Sequence, residues 1–177
     1  CGEPPFFICD SHGRASGVQQ DFIALLNQKL GINIQLSMAP DWSEAVRRAK
    51  SGETNGLGVS HTTTSRQRQF NVTTPLYSAY SYIYARSDEL EQYSSLASLN
   101  GVRVGYIANH SRVEEQMQDN PGIIGVPVNT SEEAVNALLD RKVDAVIQAT
   151  TMEYWRQQNV VEGFSISALL PQTKMGL

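Results

Sequence analysis

The sequence predicts an α/β protein built in two lobes, and three observations carry that prediction. Segments with helical and strand periodicity alternate along the 177 residues, the pattern of layered folds with mostly parallel sheets. One unit occurs twice. Glu44-Ala45-Val46 opens a helix that leads through Gly52 to a strand, and Glu133-Ala134-Val135 opens a helix that leads through Asp140 to another. Between the copies lies SAYSYIYAR, residues 78–86, where apolar and aromatic residues alternate as in an extended connection. Hydrophobic residues make up 41% of the chain and charged residues 18%, enough for a buried core.

The elements follow in order. Residues 6–9 read as a strand, with a turn at 11–13. Residues 18–30 read as a helix with Phe22, Leu25, Leu26 and Leu30 on one face, and Gly31 closes it. Residues 32–36 alternate as a strand. Asp41 with Glu44 three positions later resembles a capping box, starting a helix that ends near Gly52. Residues 55–59 form the next strand. After the connection at 78–86 come a short helix at 96–99, a strand at 102–107 and a helix at 111–118. A strand at 123–128, a helix at 131–139, a strand at 143–148 and a helix at 151–158 complete the alternation.

Several functions are excluded at this stage. Net charge is −4 and no basic run occurs, which argues against a nucleic-acid partner. No apolar run approaches the roughly 20 residues that span a membrane. There is no glycine-rich phosphate loop, nucleophile elbow or metal-ligand spacing, so no cofactor is expected. The two cysteines, Cys1 and Cys9, flank the Pro4-Pro5 turn; they are either free or bridged, because sequence does not fix their separation.

The stretch with the most chemistry is GVSHTTTSRQRQFNVTTPLY, Gly58 to Tyr77. A short apolar strand runs into hydroxylated residues, then Arg66, then the aromatic-flanked turn Thr74-Pro75-Leu76-Tyr77. A guanidinium offers a planar fork that matches two carboxylate oxygens. Hydroxyls and loop N–H groups around it complete a site for a small carboxylate. The plainer reading is a surface arginine in a loop.

This stretch resembles the signature of the bacterial extracellular solute-binding proteins of family 3, in which hydroxyl residues precede T-x-x-R and an F-T-x-P-Y run. The resemblance extends to Pro4-Pro5-Phe6, to Asp10-Ser11-His12-Gly13 with Gly17, to LASLNGVRVG (Leu96 to Gly105) and to Val143-Asp144-Ala145-Val146. It implies a periplasmic-binding-protein type II fold, the Venus flytrap, truncated here at its C-terminal end. Lobe 1 is then residues 1–81, with 172–177 starting the return crossing, and lobe 2 is residues 82–171. Members usually continue beyond the position of Leu177, so some apolar surface of lobe 1 is expected to lie bare.

The resemblance also implies a site. Arg66 clamps the ligand carboxylate, and His61 stands where Ser or Thr contacts the ligand. Gly58 and Val59 present backbone groups, and Trp42 stacks on the ligand side chain. His110 and Ser111 stand where lobe 2 offers a hydroxyl pair at a helix start. Two departures stand out. Ala149 occupies the place of the aspartate that holds a ligand ammonium, and Asn109 replaces a glycine, keeping access to a left-handed backbone. Glu3 is the candidate substitute counter-charge, or else a solvated turn residue. The implied function is capture of a small carboxylate or amino-acid-like solute by an extracytoplasmic monomer. It serves either as a periplasmic carrier for an ABC permease or as the sensor of a membrane-anchored histidine kinase or diguanylate cyclase. A dehydratase-type enzyme on the same fold is the remote alternative, and Glu3, His61 and His110 form no recognisable catalytic arrangement.

Overall fold

The computed structural model describes residues 5–9, 12 and 14–177. Glu3, Cys1, the side chain of Cys9 and the turn expected at 11–13 lie outside the described residues, and with them the candidate counter-charge and the candidate disulfide.

Strands β1 (Ile8–Cys9) and β2 (Ala15–Ser16) pair as a small antiparallel ribbon. Helix α1 (Val18–Leu30) ends where the glycine predicts: Gly31 adopts φ 65° and its N–H returns to the Asn27 carbonyl. Only Ile23 of α1 is buried, while Leu25 is 44% exposed and Leu30 63%, so the expected apolar face is only partly covered. The strand expected at 32–36 does not form. The Asn27 side chain instead satisfies Ile34 in both directions, donating to its carbonyl at 2.9 Å and accepting from its N–H at 2.8 Å. A side-chain amide thus replaces a strand neighbour, and Ile32 stays exposed.

Helix α2 (Trp42–Ser51) is capped as the sequence requires, with the Asp41 carboxylate accepting from the Glu44 N–H. The strand expected at 55–59 is displaced to β3 (Ser60–His61), followed by a short helix α3 (Thr64–Gln67) that carries Arg66. β4 (Tyr77–Ala79) and β10 (Thr173–Gly176) complete a three-stranded sheet in the order β3-β10-β4, antiparallel throughout. The distant segment 173–176 therefore lies between β3 and β4, and pins the loop that leads to Arg66.

The larger lobe holds a five-stranded sheet in the order β7-β6-β8-β5-β9. Its strands are β5 (Ser81–Arg86), β6 (Arg103–Ile107), β7 (Ile124–Val128), β8 (Ala145–Ala149) and β9 (Phe164–Leu169). Only β7-β6-β8 is parallel; β5 runs antiparallel to both β8 and β9, so the expectation of mostly parallel sheets is corrected. Helices α4 (Ser111–Asp119), α5 (Ser131–Leu139) and α6 (Thr151–Asn159) join these strands. The two faces of the sheet hold two cores. Ile83, Leu99, Val104, Val113 and Ile147 build one, and Tyr84, Val135, Leu138, Val146 and Met152 the other. The alternation of β5 thus serves both faces.

Arg86, at the end of β5, is buried. It donates to the carbonyls of Leu138 and Val143 at 2.8 and 2.9 Å and pairs with Glu89. These bonds tie the end of α5 and the entry to β8 to β5, while the Arg86 Nε has no hydrogen-bond partner among the described residues.

Candidate functional site

Of the residues expected to bind a ligand, Trp42, His61, Arg66 and His110 meet at the seam between the lobes. From the smaller lobe, Thr63 caps α3 by accepting from the Arg66 N–H, which fixes the first turn and directs Arg66 inward. Arg66 is 4% exposed. Its guanidinium lies 5.6 Å from the ring centroids of both Trp42 and Phe70. Phe70 stands four residues after Arg66, and its backbone N–H donates to the Arg66 carbonyl. That spacing is the sequence signal for a residue not anticipated at the site.

The larger lobe contributes the turn between β6 and α4. Asn109 adopts φ 60°, the left-handed conformation that its amide side chain tolerates. Its N–H donates to Glu114, and its carbonyl points across the seam, where it accepts from Trp42 Nε1 at 2.9 Å and from Arg66 Nη2 at 3.3 Å. The Asn109 side chain donates to Ser43 Oγ at 2.9 Å. One peptide carbonyl therefore takes the indole and the guanidinium together. The Trp42 N–H closes the seam and its ring supports Arg66. The Arg66 Nε remains buried with no hydrogen-bond partner among the described residues.

His61 and His110 face each other across the same seam, ring centroids 4.7 Å apart and tilted by 54°. His61 Nδ1 bonds to Thr173 Oγ1 at 2.7 Å, whereas the buried His110 Nδ1 has no partner among the described residues. Burial pushes the His61 imidazole down to about 3, aided by the charges of His110, Arg112 and Arg66. Burial likewise lowers His110 to about 4, with Arg66 contributing. Both rings are neutral at neutral pH. The Arg66 pKa is also lowered by burial, partly offset by the Glu114 carboxylate.

The remaining expected residues are less engaged. Ser111 is buried in the first turn of α4, and no hydrogen bond joins it to Arg66 among the described residues. Val59 is buried at the entry to β3, and Gly58 lies against Gln19 of α1, where a Cβ would meet the Gln19 Oε1 at 2.9 Å. Ala149 ends β8, paired with Ser81. A further link across the seam, from the Ser65 N–H to Glu115 Oε1 at 2.8 Å, holds α3 against α4.

This two-lobed α/β arrangement has the architecture of the type II periplasmic binding proteins. The sequence pattern of the bacterial extracellular solute-binding proteins, family 3, matches residues 2–119, and the chain belongs to that family. Among solved structures, it is similar to a histidine kinase sensor domain described as resembling periplasmic binding proteins. That match has a TM-score of 0.87 at 22% identity, over 98% of this chain and 76% of that one. It is also similar to the periplasmic domain of BvgS from B. pertussis, with a TM-score of 0.81 and 18% identity over 98% of this chain. The chain spans only 34% of that BvgS domain. An arginine-bound mutant of ArgBP from T. maritima matches with a TM-score of 0.78 and 18% identity, over 98% of this chain and 82% of that one. A search of curated protein sequences finds no match.

Proposed function

We propose that this chain is an extracytoplasmic receptor module that captures a small carboxylate between its lobes. The observation that carries this reading is the environment of Arg66. A buried guanidinium braced by two aromatic rings has one carbonyl acceptor from the opposite lobe and an unpartnered Nε. A ligand carboxylate supplies two anionic oxygens where the Asn109 carbonyl supplies one neutral oxygen, and so competes for the guanidinium on better terms. Residues 1–81 with 172–177 then move as one body and residues 82–171 as the other, hinging at the start of β5.

The ligand is a carboxylate without an α-ammonium. Ala149 offers no counter-charge, and the His61–His110 pair adds neutral imidazoles beside a fixed cation. An ammonium buried there without a partner costs several kcal/mol, on the order of three. Glu3 is the alternative counter-charge.

Two roles fit such a module. A sensory role, as the ligand-binding part of a membrane-anchored kinase or cyclase, is favoured by the seam that closes on itself through Asn109 and by the Ala149 departure. A carrier role, delivering solute to an ABC permease, is favoured by the arginine standing at its family position. A thermal-shift screen of mono- and dicarboxylates beside the twenty amino acids tests the ligand class. Amine-free carboxylates should stabilise the protein by about 2.7 kcal/mol at a hundredfold excess over Kd. Tight binding of a neutral α-amino acid, unaffected by Glu3→Gln, would overturn the amine-free reading.

A further inference from the structure

Beside the Arg66 cluster, the seam opens into a shallow pocket of about 220 Å³ with walls from both lobes. The larger lobe supplies Arg112 and Glu115 from the first turns of α4, and the smaller supplies residues 62–64 with Thr173 and Lys174 of β10. Cross-links define the walls. Thr62 donates its N–H and its hydroxyl to the Lys174 carbonyl, Thr173 bonds to His61, and Glu115 accepts from the Ser65 N–H.

Neither cation of this pocket is neutralised by a described residue, whereas Arg47, Arg48, Arg86, Arg103, Arg141 and Arg156 are each paired with an acid. Among the described residues neither Arg112 nor Lys174 enters an ion pair, and the Arg112 Nε is buried with no hydrogen-bond partner. The Thr64 hydroxyl makes no hydrogen bond among those residues either. Glu115 is the one acid on the wall, and its Oε1 is already engaged by a backbone donor. The pocket therefore gathers a guanidinium, an ammonium and a free hydroxyl around a volume that suits a small oxyanion.

We propose that this pocket is a second anion site, distinct from Arg66, in which a small oxyanion bridges Arg112 of one lobe and Lys174 of the other. An anion held this way ties the lobes together without touching the Asn109 carbonyl. Closure then answers to two chemically separate inputs, the carboxylate at Arg66 and the oxyanion at the pocket. The site does not depend on the reading of Arg66.

Inorganic phosphate, titrated at neutral pH against matched ionic strength in sodium chloride, tests it by calorimetry and thermal shift. Phosphate should stabilise the protein saturably, and Arg112→Gln and Lys174→Gln should each weaken its binding by about tenfold or more. Lys174 is exposed, so its variant keeps the fold and the test stands even if Arg112→Gln is unstable. Arg66→Gln should retain the response. Succinate in parallel shows whether the site takes oxyanions generally, and its action through Arg112 and Lys174 also upholds the site. No saturable response to either anion through Arg112 and Lys174, an equal phosphate response in both cation variants, or a phosphate response lost only in Arg66→Gln overturns the proposal.

Discussion

The indole N–H of Trp42 donates to the backbone carbonyl of Asn109, 2.9 Å away and 67 residues further along the chain. That bond joins the start of α2 to the turn before α4, and Arg66 shares the same acceptor. The lobes are thus held together by the protein's own peptide at the point where a ligand carboxylate would bind. Trp42→Phe keeps the ring under the guanidinium and removes only the donor. It should weaken closure by about 1 kcal/mol, the net worth of one such hydrogen bond. Small-angle scattering should show a larger radius of gyration for the variant without ligand. An unchanged radius would mean that the indole bond does not hold the seam.

The facing imidazoles make the folded state sensitive to acid. His61 falls to about 3 and His110 to about 4 in the folded protein, against an ordinary value of 6.5. Because the folded values are depressed, the folded state has its full stability from these rings above pH 6.5. That stability is progressively lost as pH falls from there through the depressed values. At pH 5 each ring contributes up to about 2 kcal/mol of destabilisation. Unfolding midpoints measured across this window should fall with pH, and the slope should shrink in His61→Gln and in His110→Gln. An identical slope in both variants would assign the pH dependence to other groups.

Ala149 stands at the end of β8, and under the proposed reading it leaves a ligand ammonium without a counter-charge. Ala149→Asp should shift preference toward α-amino acids by on the order of tenfold, through a new counter-charge. Calorimetry with one amino acid and its amine-free analogue measures the ratio directly. A ratio that does not move would place the ligand away from β8.

Arg86 anchors the larger lobe independently of any ligand. Its guanidinium satisfies two carbonyls and Glu89 inside the protein. Arg86→Met should cost about 3 kcal/mol in urea unfolding, because it strands those acceptors. A loss well below 1 kcal/mol would show that Glu89 and the carbonyls find other partners.

Much of this was legible in the sequence where local rules dominate. Asp41 and Thr130 cap their helices through the N–H of Glu44 and of Glu133, so the repeated Glu-Ala-Val unit marks two similarly started helices. Gly31 ends α1, and Asn109 takes the left-handed backbone its amide permits. Long-range choices were not legible. Residues 32–36 carry a strand pattern, yet the Asn27 side chain takes their backbone bonds. Strand β9 went unanticipated, although Phe164, Ile166 and Ala168 alternate with Ser165 and Ser167. At the site, Arg66 was suggested by the chemistry of its own loop, and Trp42 and the histidines only by the family resemblance. That the Asn109 carbonyl joins Trp42 to Arg66 depends on how two lobes meet, which no local pattern encodes.

Under the proposed function, Arg66 receives a ligand carboxylate in exchange for the Asn109 carbonyl. Isothermal calorimetry of the tightest carboxylate from the screen, on the parent protein, Arg66→Ala and Arg68→Ala, tests it most directly. Arg66→Ala should lose about 2–5 kcal/mol of binding free energy, while the exposed Arg68 should be silent as a control. Circular dichroism on the same samples verifies that each variant is folded. An affinity in folded Arg66→Ala equal to that of the parent would contradict the account.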